Sequence, residues 1–161
     1  MAQKNKSKKA SNNKPSAILN RRASFDYSLE DELTVGVVLN GKEVRAARDG
    51  RVQLKGSFVT VRNNELWLNN ASFSLKLNTK GEGETTVDTS PRKLLASRKQ
   101  IENLMASKQA GMTIVPTKLL TKGRYIKLII ALGKGKKNYD KRQTIKKRDQ
   151  DRDTKRLLKQ A

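Results

Sequence analysis

Lysine and arginine carry most of the chemistry open to this sequence. The run Gly133-Lys134-Gly135-Lys136-Lys137-Asn138-Tyr139-Asp140-Lys141-Arg142 leaves an apolar segment and opens a stretch that is almost all charge. Cations at this density neutralise a polyanion, and each one that meets a phosphate releases a condensed counterion. Lys134, Lys136, Lys137, Lys141, Arg142, Lys146, Lys147 and Arg148 are the candidate phosphate ligands. The glycines at the start of the run let backbone come close to a phosphate. Tyr139 stands alone among these charges, as a ring on which a nucleobase could stack. Acid–base and metal chemistry have far less to work with. There is no histidine and no cysteine. That removes thiolate nucleophiles, disulfides, nearly all zinc and haem sites, and the side chain that titrates nearest neutrality. Glu30-Asp31-Glu32 is the one acidic cluster, and it reads as a solvated turn or a salt-bridge partner. Lys134-Gly135-Lys136 lacks the spacing of a nucleotide-hydrolase phosphate loop. No catalytic residue, metal or cofactor is assigned, and an enzyme is disfavoured.

The charge is unevenly spread. Lys and Arg number 36 against 15 Asp and Glu, a formal net charge of +21 in 161 residues. Residues 1–22 contribute +7, residues 134–161 contribute +8, and the long middle only +6. Like charge repels itself in a folded chain and becomes favourable against a polyanion. An anionic membrane is the competing surface. The N-terminal lysines precede no apolar signal core, no apolar run approaches the ~20 residues needed to span a bilayer, and the basic tail lacks a broad apolar face. Nucleic acid is therefore the expected partner. The lack of cysteine fits a reducing cytoplasm.

Three segments position these groups. Residues 1–17 are too polar to offset ordering entropy and are expected to be disordered. Residues 18–133 read as mainly β. Strands are expected over 33–39, 52–54, 57–62, 65–68, 72–77, 113–120 and 125–132, with a short helix at 43–48. Asn63-Asn64 suits a two-residue hairpin with positive φ, Lys122-Gly123 a second tip, and Pro116 an edge or a bulge. Ser90 and Pro91 predict the start of a longer helix that carries Leu94, Leu95, Arg98, Ile101, Leu104 and Met105 as one stripe and ends at Gly111. Residues 78–90 read as a polar loop. Phe58 and Phe73 are expected in the core, and Trp67 in the core or packed on the barrel surface. Several short strands without long open edges favour closure, so an oligonucleotide-binding-type antiparallel barrel with accessory helices is expected, with a half-open α+β roll as the alternative. Residues 134–161 permit a helix but carry no stripe to dock on the barrel. They are expected to be disordered when free and helical when bound.

The chain resembles the small protein B (SsrA-binding protein) family. The resemblance rests on Asn20-Arg21-Arg22-Ala23, Asp26-Tyr27, Gly41-Lys42-Glu43-Val44, Arg48-Asp49-Gly50, Leu54-Lys55 with Ser57-Phe58, Trp67-Leu68-Asn69-Asn70, Arg92-Lys93-Leu94-Leu95, Val115-Pro116 and the run ending in Asp140-Lys141-Arg142, in that order. It implies an oligonucleotide-binding barrel that holds the tRNA-like part of transfer-messenger RNA during trans-translation, the rescue of stalled ribosomes. It also implies a basic tail that enters the vacant messenger channel near the decoding region and folds there as a helix. On this resemblance Asn20 joins the RNA-binding set. Family RNA-binding positions fall on Leu95 and Lys127; physically, Arg21, Arg22, Arg45, Arg48 and Lys127 are expected to position phosphates and Leu95 to hold a helix against the barrel. A family glutamate falls on Thr34, which has no carboxylate, and a usual histidine falls on Phe25. The partners implied are transfer-messenger RNA and the stalled ribosome, with the protein acting as a monomer.

The other reading of the same charge is a ribosomal or ribosome-assembly protein with a basic extension. Both require binding driven by counterion release. The log of the RNA affinity is expected to fall linearly with the log of salt concentration, by roughly 0.7–0.9 per phosphate contacted. A slope near zero in a titration from low to moderate salt would exclude both.

Overall fold

The computed structural model describes residues 16–76 and 85–160. The expected disorder of residues 1–15 and the first part of the expected 78–90 loop, residues 78–84, lie outside the described residues; the rest of that loop is not all loop, because Thr85–Asp88 is a strand paired with residues 73–76. Among the described residues the chain forms ten strands and four helices, with period-two alternation of apolar and polar residues along the strands. In chain order these are β1 (Ala17–Leu19), α1 (Arg21–Asp26), β2 (Tyr27–Val37), α2 (Gly41–Arg48), β3 (Val52–Gln53), β4 (Phe58–Arg62) and β5 (Glu65–Asn69). β6 (Ser72–Lys76), β7 (Thr85–Asp88), β8 (Arg92–Leu95), α3 (Arg98–Ser107), β9 (Met112–Leu120), β10 (Lys127–Gly135) and α4 (Asn138–Gln160) follow.

Six strands close a barrel in the order β9-β10-β2-β8-β5-β4, all antiparallel. β9 seals it. One edge of β9 pairs with β10; the other pairs with β4 at Ile114↔Val59 and with β1 at Lys118 to Leu120. Leu66, Leu68, Ile114, Leu119, Leu128, Ile130 and Leu132 fill the interior. β3, β6 and β7 form a small second sheet, whose Phe73 is buried as expected. Asn63 and Asn64 adopt φ 49° and 59°, the left-handed pair that a tight hairpin requires. Pro116 sits at a bulge: Ile129 faces Lys118 and Ile130 faces Pro116, which leaves Thr117 as the extra residue. Gly133 is needed for close packing, because a Cβ there would lie 3.1 Å from both Tyr27 Cβ and Val115 Cγ2.

Several expectations are corrected. The helix foreseen from Pro91 begins only at Arg98, capped by Ser97 and Gln100. Arg92–Leu95 is strand β8 because closure requires a strand between β2 and β5, and that pairing outweighs local helix propensity. Gly111 lies past the end of α3, in the turn into β9. The first long strand starts at Tyr27 rather than Leu33, so Glu30-Asp31-Glu32 lies within β2. Asp31 and Glu32 share a bulge opposite Ala131, with Asp31 at φ 48°. Asn40 caps the start of α2, which begins at Gly41. Phe58 points outward, 42% exposed, because its neighbour Val59 takes the inward position. Trp67 is half-buried on the outer face opposite Thr60 and Lys93. β1 begins at Ala17, the last residue of the segment expected to be tail, and β10 continues through Lys134 and Gly135, which pair with Ser28 and Tyr27.

One buried ion pair ties these parts together. Arg92 Nε donates to Glu43 Oε1 at 2.8 Å, and both side chains are almost fully buried. The other arginine nitrogens donate to the carbonyls of Ala71, Ser90 and Asp88, and Nη2 lies 3.0 Å from Asp88 Oδ2. The guanidinium stacks over the Phe73 ring at 4.0 Å. The second oxygen of Glu43 accepts the Asn40 N–H and so completes the N-terminal cap of α2. Removing one partner strands a buried charge. Arg92→Met is expected to lower the unfolding free energy in urea by about 3–5 kcal/mol, and adding Glu43→Leu is expected to recover part of that loss.

Candidate nucleic-acid interface

β10 carries cations at both of its ends. Lys127 opens the strand; Lys134 and the basic run close it. Eight residue steps at strand rise separate Lys127 from Gly135, roughly 26 Å. Each end has its own surroundings.

At the Lys127 end, three strands present one row of residues. Lys127 of β10 pairs with Gly36 of β2, and Gly36 pairs with Leu95 of β8. Lys127 and Leu95 therefore flank a glycine on the outer face, and both are exposed. Thr34 lies two residues before Gly36, exposed on the same face and paired with Ile129. Arg48 joins this end: its Nη2 donates to the Gly123 carbonyl at 3.4 Å and ties α2 to the β9–β10 connection. Arg45 is exposed on α2 and lines a cavity of about 600 Å³ with Lys42, Arg51 and Lys76. The structure thus brings Thr34, Leu95 and Lys127 into one outer patch. Leu95 does not hold a helix; it stands free on a strand.

The other end belongs to α1 and α4. Asn20 is only 8% exposed. Its amide donates to the carbonyls of Leu54 and Pro116 at 2.9 and 2.8 Å, and its Oδ1 accepts from the Ala23 N–H. With these bonds made, Asn20 acts as a pin that fixes α1. Arg21 and Arg22 are exposed on the helix it starts. They line a cavity of about 870 Å³ with Leu19, Phe25, Lys55 and Arg148 of α4.

Asp26 is the hub of this end. Its carboxylate takes Arg22 Nε at 2.7 Å and Lys141 Nζ at 3.2 Å. Its carbonyl accepts the Lys136 N–H, and Lys136 Nζ donates to the Ser24 carbonyl, both at 2.9 Å. The guanidinium groups of Arg22 and Arg148 lie 5.1 and 5.8 Å from the centre of the Phe25 ring. Burial pushes the Asp26 pKa up, but the hydrogen bonds and charges of Lys141 and Arg22 together outweigh it and hold the carboxyl below its ordinary value. The early turns of α4 are therefore docked on α1, a contact that the sequence, with no apolar stripe in the tail, does not disclose. Lys136 and Lys141 are engaged there, while Lys134, Lys137, Arg142, Lys146, Lys147 and Tyr139 are exposed and Asp140 is half-buried. Past Arg148, the ion pairs between described side chains stay inside the helix: Arg152 with Asp149 and Arg156 with Asp153.

Among the described residues, no group of three or more metal-ligating side chains comes together, and no helix is long and apolar enough to cross a membrane.

Comparison with known proteins agrees with this geometry. The family model described as SmpB protein matches residues 17–160. The SsrA-binding protein of Shouchella clausii (strain KSM-K16) is 40% identical over 142 residues, which is 88% of this chain and 90% of the relative. The SsrA-binding protein of Halalkalibacterium halodurans is 42% identical over 142 residues, 88% and 91% of the two chains. A chain of the solved structure described as "tmRNA-SmpB: a journey to the center of the bacterial ribosome" superposes with a TM-score of 0.62 at 32% identity, covering 77% of this chain and 87% of that one. With a family match that spans both the barrel and the docked helix, the chain belongs to the SmpB protein family.

Proposed function

We propose that this protein is the RNA-binding adaptor of trans-translation, acting in the cytoplasm and performing no bond chemistry itself. The outer patch at the Lys127 end of β10 holds the tRNA-like domain of transfer-messenger RNA. The cations at the other end, with α4, meet the ribosome. The observation that carries this reading is the separation of two cationic surfaces along one strand, which lets the barrel touch two RNA bodies at once. Lys127, Arg45 and Arg48 supply phosphate contacts at the first surface, near Thr34 and Leu95. At the second, Arg21 and Arg22 flank the start of the tail, and the exposed tail cations Lys137, Arg142, Lys146 and Lys147 track the empty messenger channel by the decoding site. Tyr139 stacks there on a base.

The docked state of α4 fits this sequence of events. Its first turns are held by Asp26, and its distal half has no partner outside the helix among the described side chains. An isolated helix of that length is marginal, so ribosomal phosphates supply what the barrel does not. Competition for Lys141 and Arg148 frees the helix from α1.

Three experiments test the reading. Lys127→Ala is expected to weaken binding of the tRNA-like domain and to lower the salt slope by about one. Truncation after Gly135, which leaves β10 intact, is expected to preserve that binding and abolish peptide tagging on stalled ribosomes. Normal tagging by the truncated protein would refute the two-surface arrangement, and co-purification with bulk ribosomal RNA in place of one small RNA would favour an assembly protein.

The dock has its own pH signature. Because the Asp26 pKa is lowered, its contribution is complete above the ordinary aspartate value and is lost as pH falls through the lowered one. Fluorescence transfer between labels on the barrel and on α4 is expected to show a constant short distance from neutral pH down through the ordinary aspartate range, with separation only once pH falls below that range. Asp26→Asn is expected to separate the labels across the whole range.

A further inference from the structure

The cavity beside Arg45 is lined mostly by cations. Lys42 and Arg45 come from α2, Arg51 from the segment between α2 and β3, and Lys76 from the end of β6; Asn40 and Gly41 complete the lining. The fold makes this cluster. Lys42 and Arg45 are three residues apart and share one face of the helix. α2 packs on β6. The Arg51 N–H donates to the Ala46 carbonyl and the Arg51 carbonyl accepts the Ser74 N–H, so Arg51 bridges helix and strand. Lys76 lies two residues beyond Ser74, on the same face of β6.

Little neutralises these charges. Glu43 is the one acid in α2, and its carboxylate is committed to Arg92 and to the Asn40 N–H. Asp49 takes Arg51 Nη2 at 2.9 Å. Among the described residues Lys42, Arg45 and Lys76 make no ion pair, and no carboxylate lines the cavity. Arg51 is the least satisfied of the four. Its Nε and Nη1 are buried and have no hydrogen-bond acceptor. Buried polar nitrogens are nearly always hydrogen-bonded, so a guanidinium held this way calls for an anion. The mouth is open at Gly41, where a Cβ would meet nothing within 4 Å.

We propose that this cavity binds a small molecule with two linked phosphate groups, such as free pyrophosphate or the diphosphate of a nucleotide. Arg51 donates to it through Nε and Nη1, and Lys42, Arg45 and Lys76 surround it. At about 600 Å³ the cavity lies in the range of small-molecule sites, and one phosphate is small beside it. Arginine's planar fork matches phosphate oxygens, and lysine adds point charge. In RNA a ribose separates each phosphate from the next, so a concave cluster of cations fits linked phosphates better than a backbone. The proposal does not rest on the trans-translation reading. Arg45 serves the RNA surface in that reading and is left in place below.

The test is calorimetric titration of the full chain with sodium pyrophosphate, and with orthophosphate and citrate for comparison. One saturable pyrophosphate site is expected, with the other two anions bound more weakly. Arg51→Met is expected to weaken it roughly 10- to 150-fold, the range for hydrogen bonds to charged groups. Because Arg51 is partly buried, a second variant guards against misfolding. Lys42→Gln with Lys76→Gln removes two exposed cations and is expected to weaken binding about tenfold with an unchanged urea midpoint. Lys99→Gln with Lys108→Gln removes the same charge from exposed residues that do not line the cavity, and is expected to stay within about twofold of the parent. Equal losses in the two double variants, or citrate or orthophosphate binding as tightly as pyrophosphate, would show only the general field of a basic protein and overturn the proposal. So would a failure of pyrophosphate to bind while Lys42→Gln with Lys76→Gln lowers the salt slope of RNA binding by about two, which would assign the cavity to RNA. The adaptor reading stands under each of these outcomes.

Discussion

The buried Arg92–Glu43 pair is the constraint on which the architecture rests. Each charge would be costly to bury alone, and each is satisfied only by the other together with several backbone carbonyls and an N–H. The pair fixes the start of α2 relative to β8 and to the sheet that holds Phe73. It therefore fixes where β2 hands over to α2 and where β8 must run. The outer patch depends on that arrangement, because Gly36 and Leu95 meet only if β2 and β8 pair in this register. A pair placed among apolar packing also resists alternatives: slipping β8 by one residue would turn Arg92 outward and Lys93 into the core.

β10 transmits that order from one surface to the other. Its inner face packs the barrel while its ends serve different contacts. The start presents Lys127 to the patch, and the end passes into the run that α1 receives through Asp26. α1 is short and could not stand alone. Asn20 gives it a cap and ties its start to β9 and to the segment after β3, so the receiver for α4 is built from the barrel itself. The contacts holding α4 are ionic and cation–π, which are modest at a solvated surface. A dock of that kind holds the helix without binding it too tightly for phosphates to displace.

Much of the fold was legible because its signals are local. The hairpin at Asn63-Asn64 follows from the left-handed conformation that asparagine tolerates, and the bulge at Pro116 from the absent N–H of proline. The late strands β9 and β10 announce themselves by apolar content. The failures were non-local. Ser90 and Pro91 make a good local start for a helix over Arg92–Leu95, yet the barrel needs a strand there. Hydrophobicity alone favours a buried Phe58, but its alternation with the buried Val59 sets it outside. The docking of α4 through Asp26 had no apolar stripe to signal it.

By itself, the sequence determined the class of partner. Its charge and its lack of histidine and cysteine are properties of composition and survive any fold, and the ordered words it shares with a family specified the barrel. Tertiary structure alone decided which groups act together. Lys127, Gly36 and Leu95 are far apart along the chain and become neighbours only through strand register, just as Arg92 finds Glu43 and Asp26 finds Lys141. Composition sums over residues, whereas a site is a set of distances, and those distances exist only once the strands have closed.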